Sequence, residues 1–541
     1  MITELPRHMH ATTYKRPRWI QAKQETTTLS QDIPRSGIMD RLPPELHVKI
    51  GRYLWIDELY QLVLVSKFCY STFTPELYRE IQLQGVYRLW EPDFHMDEDG
   101  PPARCLPYAI IENPDLAGFV RSLQLVPFIY PGSPKIELSR VLQETGRGDF
   151  LHSHPLTRQM ILRWHNELES DPKLDSCQPL RNPWFALLLL QLKYLQDLYV
   201  FLPCDEHGHG QKGPAPTPHF DEVISWAANP ESGILTRLTH LTLEESQARF
   251  DYKPPGISVI RLIPFLEISS LRHIRVTRIA DQNEQALPRK FNSKVTHLDV
   301  KQCDKTFTQL PQLLMGCSEL ESFTWTLEES THHLFRRPHR PGFHWEPNRA
   351  YDAIYQLRST LRHLSIKSHV CRGDLYLHHD VEYPQPAYFG SLCDFPVLET
   401  LQMRMVNLLP FQPGTRVPTS PLWKILPSSL RFLSIDGCLM QTSNMLCDEL
   451  EDLAAHCQTH LPQLEKVHIA YSHYEKINGQ QCLACEGPGS VMSYKKVKAD
   501  PAIVARLRAL GVKFNKQGVR LRPFGKFKDG KYVDDANRWW Y

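Results

Sequence analysis

Long apolar runs are missing from this sequence. Nothing in its 541 residues approaches the roughly 18 apolar residues of a membrane-spanning helix, and the first 38 residues hold no apolar core of signal-peptide length. A dominant charge sign is missing too. The 62 Lys and Arg stand against 60 Asp and Glu, interspersed, for a formal net charge of +2, which argues against a wholly basic nucleic-acid binder and against an acidic solvating chain. The 13 cysteines lack the dense, regular spacing of a secreted disulfide scaffold and sit singly among apolar neighbours, as at Cys303, Cys317, Cys371 and Cys438. The expectation is a soluble protein of the cytoplasm or nucleus, with reduced cysteines and no membrane partner.

Recognisable catalytic motifs are also lacking. There is no Gly-x-Ser-x-Gly elbow and no His-Glu-x-x-His helix. The string Gly525 to Lys531 has the Gly and Lys spacing of a phosphate loop, but Tyr532 stands where a Ser or Thr would hold magnesium, and no apolar strand precedes it. Cys482 and Cys485 could offer two thiolates to zinc. A closed site needs four ligands, so His468, His473 or Cys457 would have to complete it through folding; otherwise the pair is a loop with two exposed thiols. Glu206 to His209 is polar and glycine-broken and reads as a loop. No enzyme activity, metal or cofactor is expected.

What is present falls into contrasting segments. Residues 1–38 are polar, with Lys15, Arg16, Arg18 and Lys23 around Pro17, a composition suited to a flexible leader. Residues 39–84 carry apolar side chains at helical spacing, punctuated by Pro43-Pro44, Ile56-Asp57 and Thr74-Pro75. A first helix is predicted from Pro44 to Leu54, with Leu46, Ile50 and Leu54 on one face. A second starts from an Asp57 cap and buries Leu59, Leu62, Val63 and Val65; a third starts at Thr74 with Pro75 in its first turn. So small a module needs a partner surface or a following domain to complete its core.

The string Leu42-Pro43-Pro44-Glu45, then Ile50, Leu54 and Leu59, then Leu64 to Lys67, then Pro75 to Ile81, resembles an F-box of the fungal type. Cys69 departs from the bulky aromatic usual in that family, with Phe68 and Tyr70 beside it. The resemblance implies binding of a Skp-type adaptor, and through it a cullin, by Leu42, Pro43, Leu46, Ile50, Leu54, Leu59, Leu62 and Val65.

After a linker at 85–112, a short phrase recurs: apolar, two residues, apolar, one residue, apolar. It begins at Val120, Leu195, Leu238, Leu271, Val295, Leu320, Leu361, Leu398, Leu430 and Leu464. Several copies follow helical stretches, such as Trp184 to Leu192, Val259 to Leu266, Tyr351 to Leu357 and Met445 to Cys457. Helix, turn and short strand in repetition resemble a leucine-rich-repeat solenoid. Uneven intervals imply an irregular horseshoe with long loops, as at 203–218 and 336–347. The expected fold class is α/β, a three-helix F-box module and then a repeat array over 113–515, with a tail at 516–541.

His240, His273, His297 and His363 take the same place in four copies. Strand alternation puts them on the face away from the core, with Arg275, Lys301, Lys367, Arg404 and Lys466. The row is either a tolerant solvent face or a mildly basic ligand face for an acidic or phosphorylated segment. From Lys495 to Lys531, twelve Lys or Arg stand against two Asp, with Phe514, Phe524 and Phe527 among them. A last repeat, with a helix at 502–510 and a strand at 512–514, accounts for this better than a nucleic-acid site. The reading is a non-catalytic substrate receptor of an SCF-type ubiquitin ligase, binding a protein substrate through the repeats. A non-ligase F-box scaffold, and an enzyme whose site is scattered through the sequence, are the alternatives.

Overall fold

The computed structural model describes residues 42–83, 110, 113–125, 183–202, 217–245, 256–277, 279–280, 291–303, 309–327, 347–368, 388–412, 417–438, 443–471, 527–528 and 531–532. They belong to two compact units. The first comprises Met1–Asp299 with Gly316–Glu319, the second Val300–Met315 with Leu320–Tyr541.

The first unit opens with α1 (Pro44–Tyr53), α2 (Ile56–Val63) and α3 (Lys67–Leu77). Pro44 lies at the start of α1, where its missing N–H costs nothing, and the Pro43 carbonyl accepts from the Leu46 N–H at 2.9 Å. The cap of α2 is Trp55 rather than Asp57, and the Trp55 N–H donates to the Glu58 carboxylate at 2.8 Å. The expected third start is corrected as well. Ser66 caps α3, its hydroxyl accepting from the Cys69 N–H at 3.0 Å, and Pro75 sits inside the helix. A proline is tolerated there because α3 ends at Leu77, so the N–H it removes affects only the final turn.

The three helices close on Leu59, Val63, Cys69 and Phe73, with Leu54, Leu62, Phe68, Tyr70 and Leu77 packed around them. Cys69 thus occupies the core, flanked by the aromatic rings on either side of it in sequence. Gly51 lets α1 approach α3, since an added Cβ would lie 3.3 Å from Phe73 and Glu76. Val65 does not share the buried stripe: α2 ends at Val63, and Val65 is 72% exposed.

With only Tyr78 and Arg79 between, the chain passes from α3 into β1 (Glu80–Leu83). There follow α4 (Pro114–Ala117), β2 (Ser122–Leu125), α5 (Pro183–Gln191), β3 (Asp197–Leu202), α6 (Pro218–Ala227) and β4 (His240–Glu245). Next come β5 (Ile257–Ser258), α7 (Val259–Leu266), β6 (His273–Thr277), β7 (Ile279–Ala280) and β8 (His297–Cys303), within which the unit boundary falls. The sheet order is β1-β2-β3-β4-β6-β8, and the pairings from β1 to β6 are parallel. The sequence reading starts the array at residue 113, but the sheet starts at Glu80. Thr217-Pro218 opens α6, whose Phe220 meets Phe265 of α7 with ring centroids 5.9 Å apart.

The second unit holds α8 (Leu310–Met315), β9 (Ser322–Leu327), α9 (Pro347–Tyr355), β10 (His363–Ser368), β11 (Thr400–Arg404) and α10 (Met405–Leu408). It continues with α11 (Leu422–Ile425), β12 (Phe432–Cys438), α12 (Ser443–His460) and β13 (Lys466–Tyr471). Strands β9 to β13 are parallel, in chain order. β14 (Phe527–Lys528) pairs antiparallel with β15 (Lys531–Tyr532); the other residues around Gly525 to Lys531 lie outside the described residues.

All ten phrase copies fall on strands, β2 to β4, β6 and β8 to β13, because their leucines and valines alternate into the core: Leu198, Val200, Leu241 and Leu243 are at most 2% exposed. Repeats of unequal length keep one register through a shared backbone device. The carbonyl just before a strand accepts two N–H groups from the next repeat, as Arg79 does from Arg121 and Ser122, Gln196 from Thr239 and His240, and Arg362 from Glu399 and Thr400. Serine adds a second link. The Ser270 hydroxyl donates to the Leu235 and Leu238 carbonyls, and Ser429 treats Phe395 and Leu398 in the same way. The expected last repeat at 502–514, the loops at 203–216 and 336–346, and Cys482 with Cys485 lie outside the described residues.

Candidate interaction surfaces

The helical unit carries the side chains that the F-box resemblance singles out, in two settings. Leu59 is 6% exposed and Leu54 and Leu62 pack against the same core, so these three hold the unit together. Leu42 and Ile50 are half-buried, and Pro43, Leu46 and Val65 are exposed. Beside them stand apolar residues that helical periodicity could not pick out: Tyr53 at 80% exposure, Trp55 at 79% and Ile56 at 59%. They cluster in sequence at the α1–α2 connection, where the signal available was an aromatic pair flanking a turn.

On the first unit's sheet, one outward row reads Glu80, Ser122, Asp197, His240 and His273 in strict register, and His297 adjoins it. The three imidazoles stack, His240 on His273 at 4.4 Å and His273 on His297 at 4.1 Å between centroids. His240 Nδ1 lies 3.1 Å from the Asp197 carboxylate. Burial first, and then the neighbouring His297 and His240, lower the proton affinity of His273. In the next row, which also holds Tyr199, Arg275 donates to Asp299 at 2.8 Å, and the Tyr199 hydroxyl donates to Glu244, further along β4, at 2.6 Å. Burial, with that carboxylate beside it, pushes the Tyr199 phenol upward.

Of the cations expected on the strand face, Arg275 belongs to the first unit and the rest to the second. Among the described outward residues of the first unit, Glu80, Asp197, Glu244 and Asp299 stand against Arg275 alone. The carboxylates share the two-residue alternation of the cations, which is the signal in the sequence that marks them as outward.

The second unit's outward face carries Lys301, His363, Lys367, Arg404 and Lys466. It also bears a polar chain that sequence reasoning missed. Ser365 donates to Gln402 at 3.1 Å, Gln402 donates to Asp436 at 2.8 Å, and Ser434 lies within 3.3 Å of Asp436 and 3.1 Å of His468. Its signal was a run of small polar residues at one register position. Just before the strands, Arg362 pairs with Glu399 and Arg431 with Glu465.

Among the described residues no group of three or more His, Cys, Asp or Glu could hold a metal ion, and no helix is long and apolar enough to cross a membrane. Parallel strands in one register, inward leucines and an outward polar face define a repeat protein. A family model for the leucine-rich repeat domain matches residues 220–517, more than half of the chain, and the chain belongs to that family. Strands β1 to β3, before the matched region, continue the same register. No curated protein matches the chain. Domains of this family generally bind proteins, which makes the outward strand faces the natural contact surface.

Proposed function

We propose that the chain is the substrate-receptor subunit of an SCF-type ubiquitin ligase, binding a Skp-type adaptor through α1–α3 and a protein substrate through the repeat face. One observation carries the adaptor half. A unit with four core side chains leaves Tyr53, Trp55, Ile56 and Val65 more than half exposed, a large apolar excess for so small a body. Together with the Leu-Pro-Pro-Glu string at 42–45, it supports a protein partner on these helices. In this reading the chain makes and breaks no bonds; it raises the concentration of a substrate lysine near a charged enzyme held elsewhere. The setting is the cytoplasm or nucleus.

The test is co-purification of adaptor and cullin with the full chain and with Ile56→Asp/Val65→Asp. Both positions are exposed, so the variant keeps its own core, whereas a charge buried at an interface without a partner costs several kcal/mol, on the order of 2 or more. Loss of both proteins with the repeats still folded is expected. Unchanged recovery would remove the adaptor reading. Adaptor binding without cullin, and without turnover of any bound protein, would favour a non-ligase scaffold.

A further inference from the structure

We propose that the outward strand face of the first unit binds a lysine- and arginine-bearing segment of a partner protein, and releases it as the histidine row takes up protons. The proposal rests on the reading of the repeats as a receptor and names the partner's chemistry.

Charge complementarity selects the occupant. Glu80 and Asp197 lie in the histidine row, with Glu244 and Asp299 further along β4 and β8, the strands that carry His240 and His297. The facing cation, Arg275, already donates to Asp299 Oδ2. The other oxygen of that carboxylate, Oδ1, is buried and has no hydrogen-bond partner among the described residues, so Arg275 engages one oxygen of the two. Arg272, the other arginine near the row, is turned away from the face: its guanidinium donates to the Ser269 and Leu271 carbonyls. Lys301 lies further along β8. Neighbouring strands are about 4.8 Å apart, so the carboxylates from β1 to β8 are spread across the sheet rather than gathered at a point. That spacing suits a segment with several cations, not a single ion.

The histidines supply the control. Neutral, they are flat, stacked surfaces that leave the carboxylates in command of the field. Protonated, three imidazolium groups 4.1 to 4.4 Å apart would oppose the carboxylates on the same face. A cation bound alongside them disfavours their protonation, so by reciprocity protonation disfavours the cation. The groups facing the row are Asp197 from β3, Glu244 from β4, Arg275 from β6 and Asp299 from β8, with Glu80 at its far end.

The experiment uses the full chain and two labelled probes, an octalysine and an octaglutamate peptide, followed by fluorescence anisotropy at low salt, pH 7.5 and 5.5. Octalysine keeps its charge throughout, so any change belongs to the protein. Binding of octalysine at pH 7.5 that weakens at least about tenfold at pH 5.5 is expected. Asp197→Asn/Glu244→Gln/Asp299→Asn should lose it at pH 7.5, while His240→Gln/His273→Gln/His297→Gln should bind equally at both. Circular dichroism at each pH establishes that the variants are folded; should the carboxylate variant unfold, the histidine variant decides alone. Octalysine bound as well by the folded carboxylate variant, a pH dependence retained by the histidine variant, or a preference for octaglutamate would each overturn the proposal. A physiological partner that still co-purifies with the carboxylate variant would overturn it while leaving the receptor reading intact.

Discussion

At the scale of single residues, the positions with least tolerance are those where backbone and side chain make conflicting demands. Gly390 has φ +142, and a Cβ there would come within 2.3 Å of the Tyr351 ring. That ring cannot easily give way, because its hydroxyl donates to the Ser391 carbonyl at 2.6 Å and its face meets Phe389 edge-on. Gly390→Ala should therefore cost about 2 kcal/mol or more, through strain and overpacking together, read as a lowered denaturant midpoint. His273 makes a prediction of opposite character. Its folded-state proton affinity is held below the ordinary 6.5, so the unfolded chain binds more protons between that lowered value and 6.5. The stabilisation is whole above about pH 6.5 and is lost as the pH falls. His273→Gln should flatten the decline in stability between pH 7 and 5, measured by denaturant titration at each pH; a decline as steep as that of the parent would contradict this.

Among the structural elements, the strands were the easiest to read and the joints between elements the hardest. A strand announces itself through a two-residue alternation that one copy of the phrase displays and nine more repeat, so even uneven spacing could not hide it. β1 is hidden because Glu80 and Ile81 close the helical motif, and its own alternation, Ile81 inward between the exposed Glu80 and Gln82, is too short to stand alone. The start of α3 was misplaced because Pro75 imitates a helix opening, while the true cap, Ser66, is an ordinary serine until its partner at Cys69 is known. The histidine row is legible as a position but not as a stack, because the stacking of rings from three strands is set by register, whereas Glu244 and Asp299 share strands and alternation with His240 and His297 and are readable there. Elements also fix two stability predictions. Ser429→Ala leaves the Phe395 and Leu398 carbonyls without their hydroxyl donor and should cost about 1 kcal/mol, seen as faster amide exchange at β11 and β12. Phe73→Ala empties the centre of the helical core, costs roughly 3–5 kcal/mol, and should melt α1–α3. Amide protection in β9–β13 should survive that change, and its loss there would count against the division into units.

For the whole molecule, the prediction concerns where the chain can be cut. Removing everything through Leu77 keeps β1, so the buried strand β2 retains its partner; removing residues through Leu83 strips β1 and bares an edge that carries Leu123 and Leu125. Exposed strand edges associate. The shorter deletion should run as a monomer by size-exclusion chromatography with light scattering, and the longer one should form larger species. If the chain is a ligase receptor, as proposed, the shorter deletion, lacking α1–α3, should lengthen the half-life of a bound protein in cells by shielding it and the full chain should shorten it; equal half-lives with binding demonstrated would favour a scaffold.

The same splice between α3 and β1 bears on reach. The backbone carbonyl of Arg79, two residues beyond the helix, accepts from the N–H groups of Arg121 and Ser122 at 2.8 and 3.0 Å, so the passage from helix to sheet is a clamped joint rather than a tether. A tether lets a captured protein sweep a wide volume and samples many lysines weakly. A stiff arm samples few, each for longer. On the proposed ligase reading, with the helices gripped by an adaptor, a partner on the first unit's strands would be presented like work in a vice, and the lysine marked would be set by the geometry at Arg79.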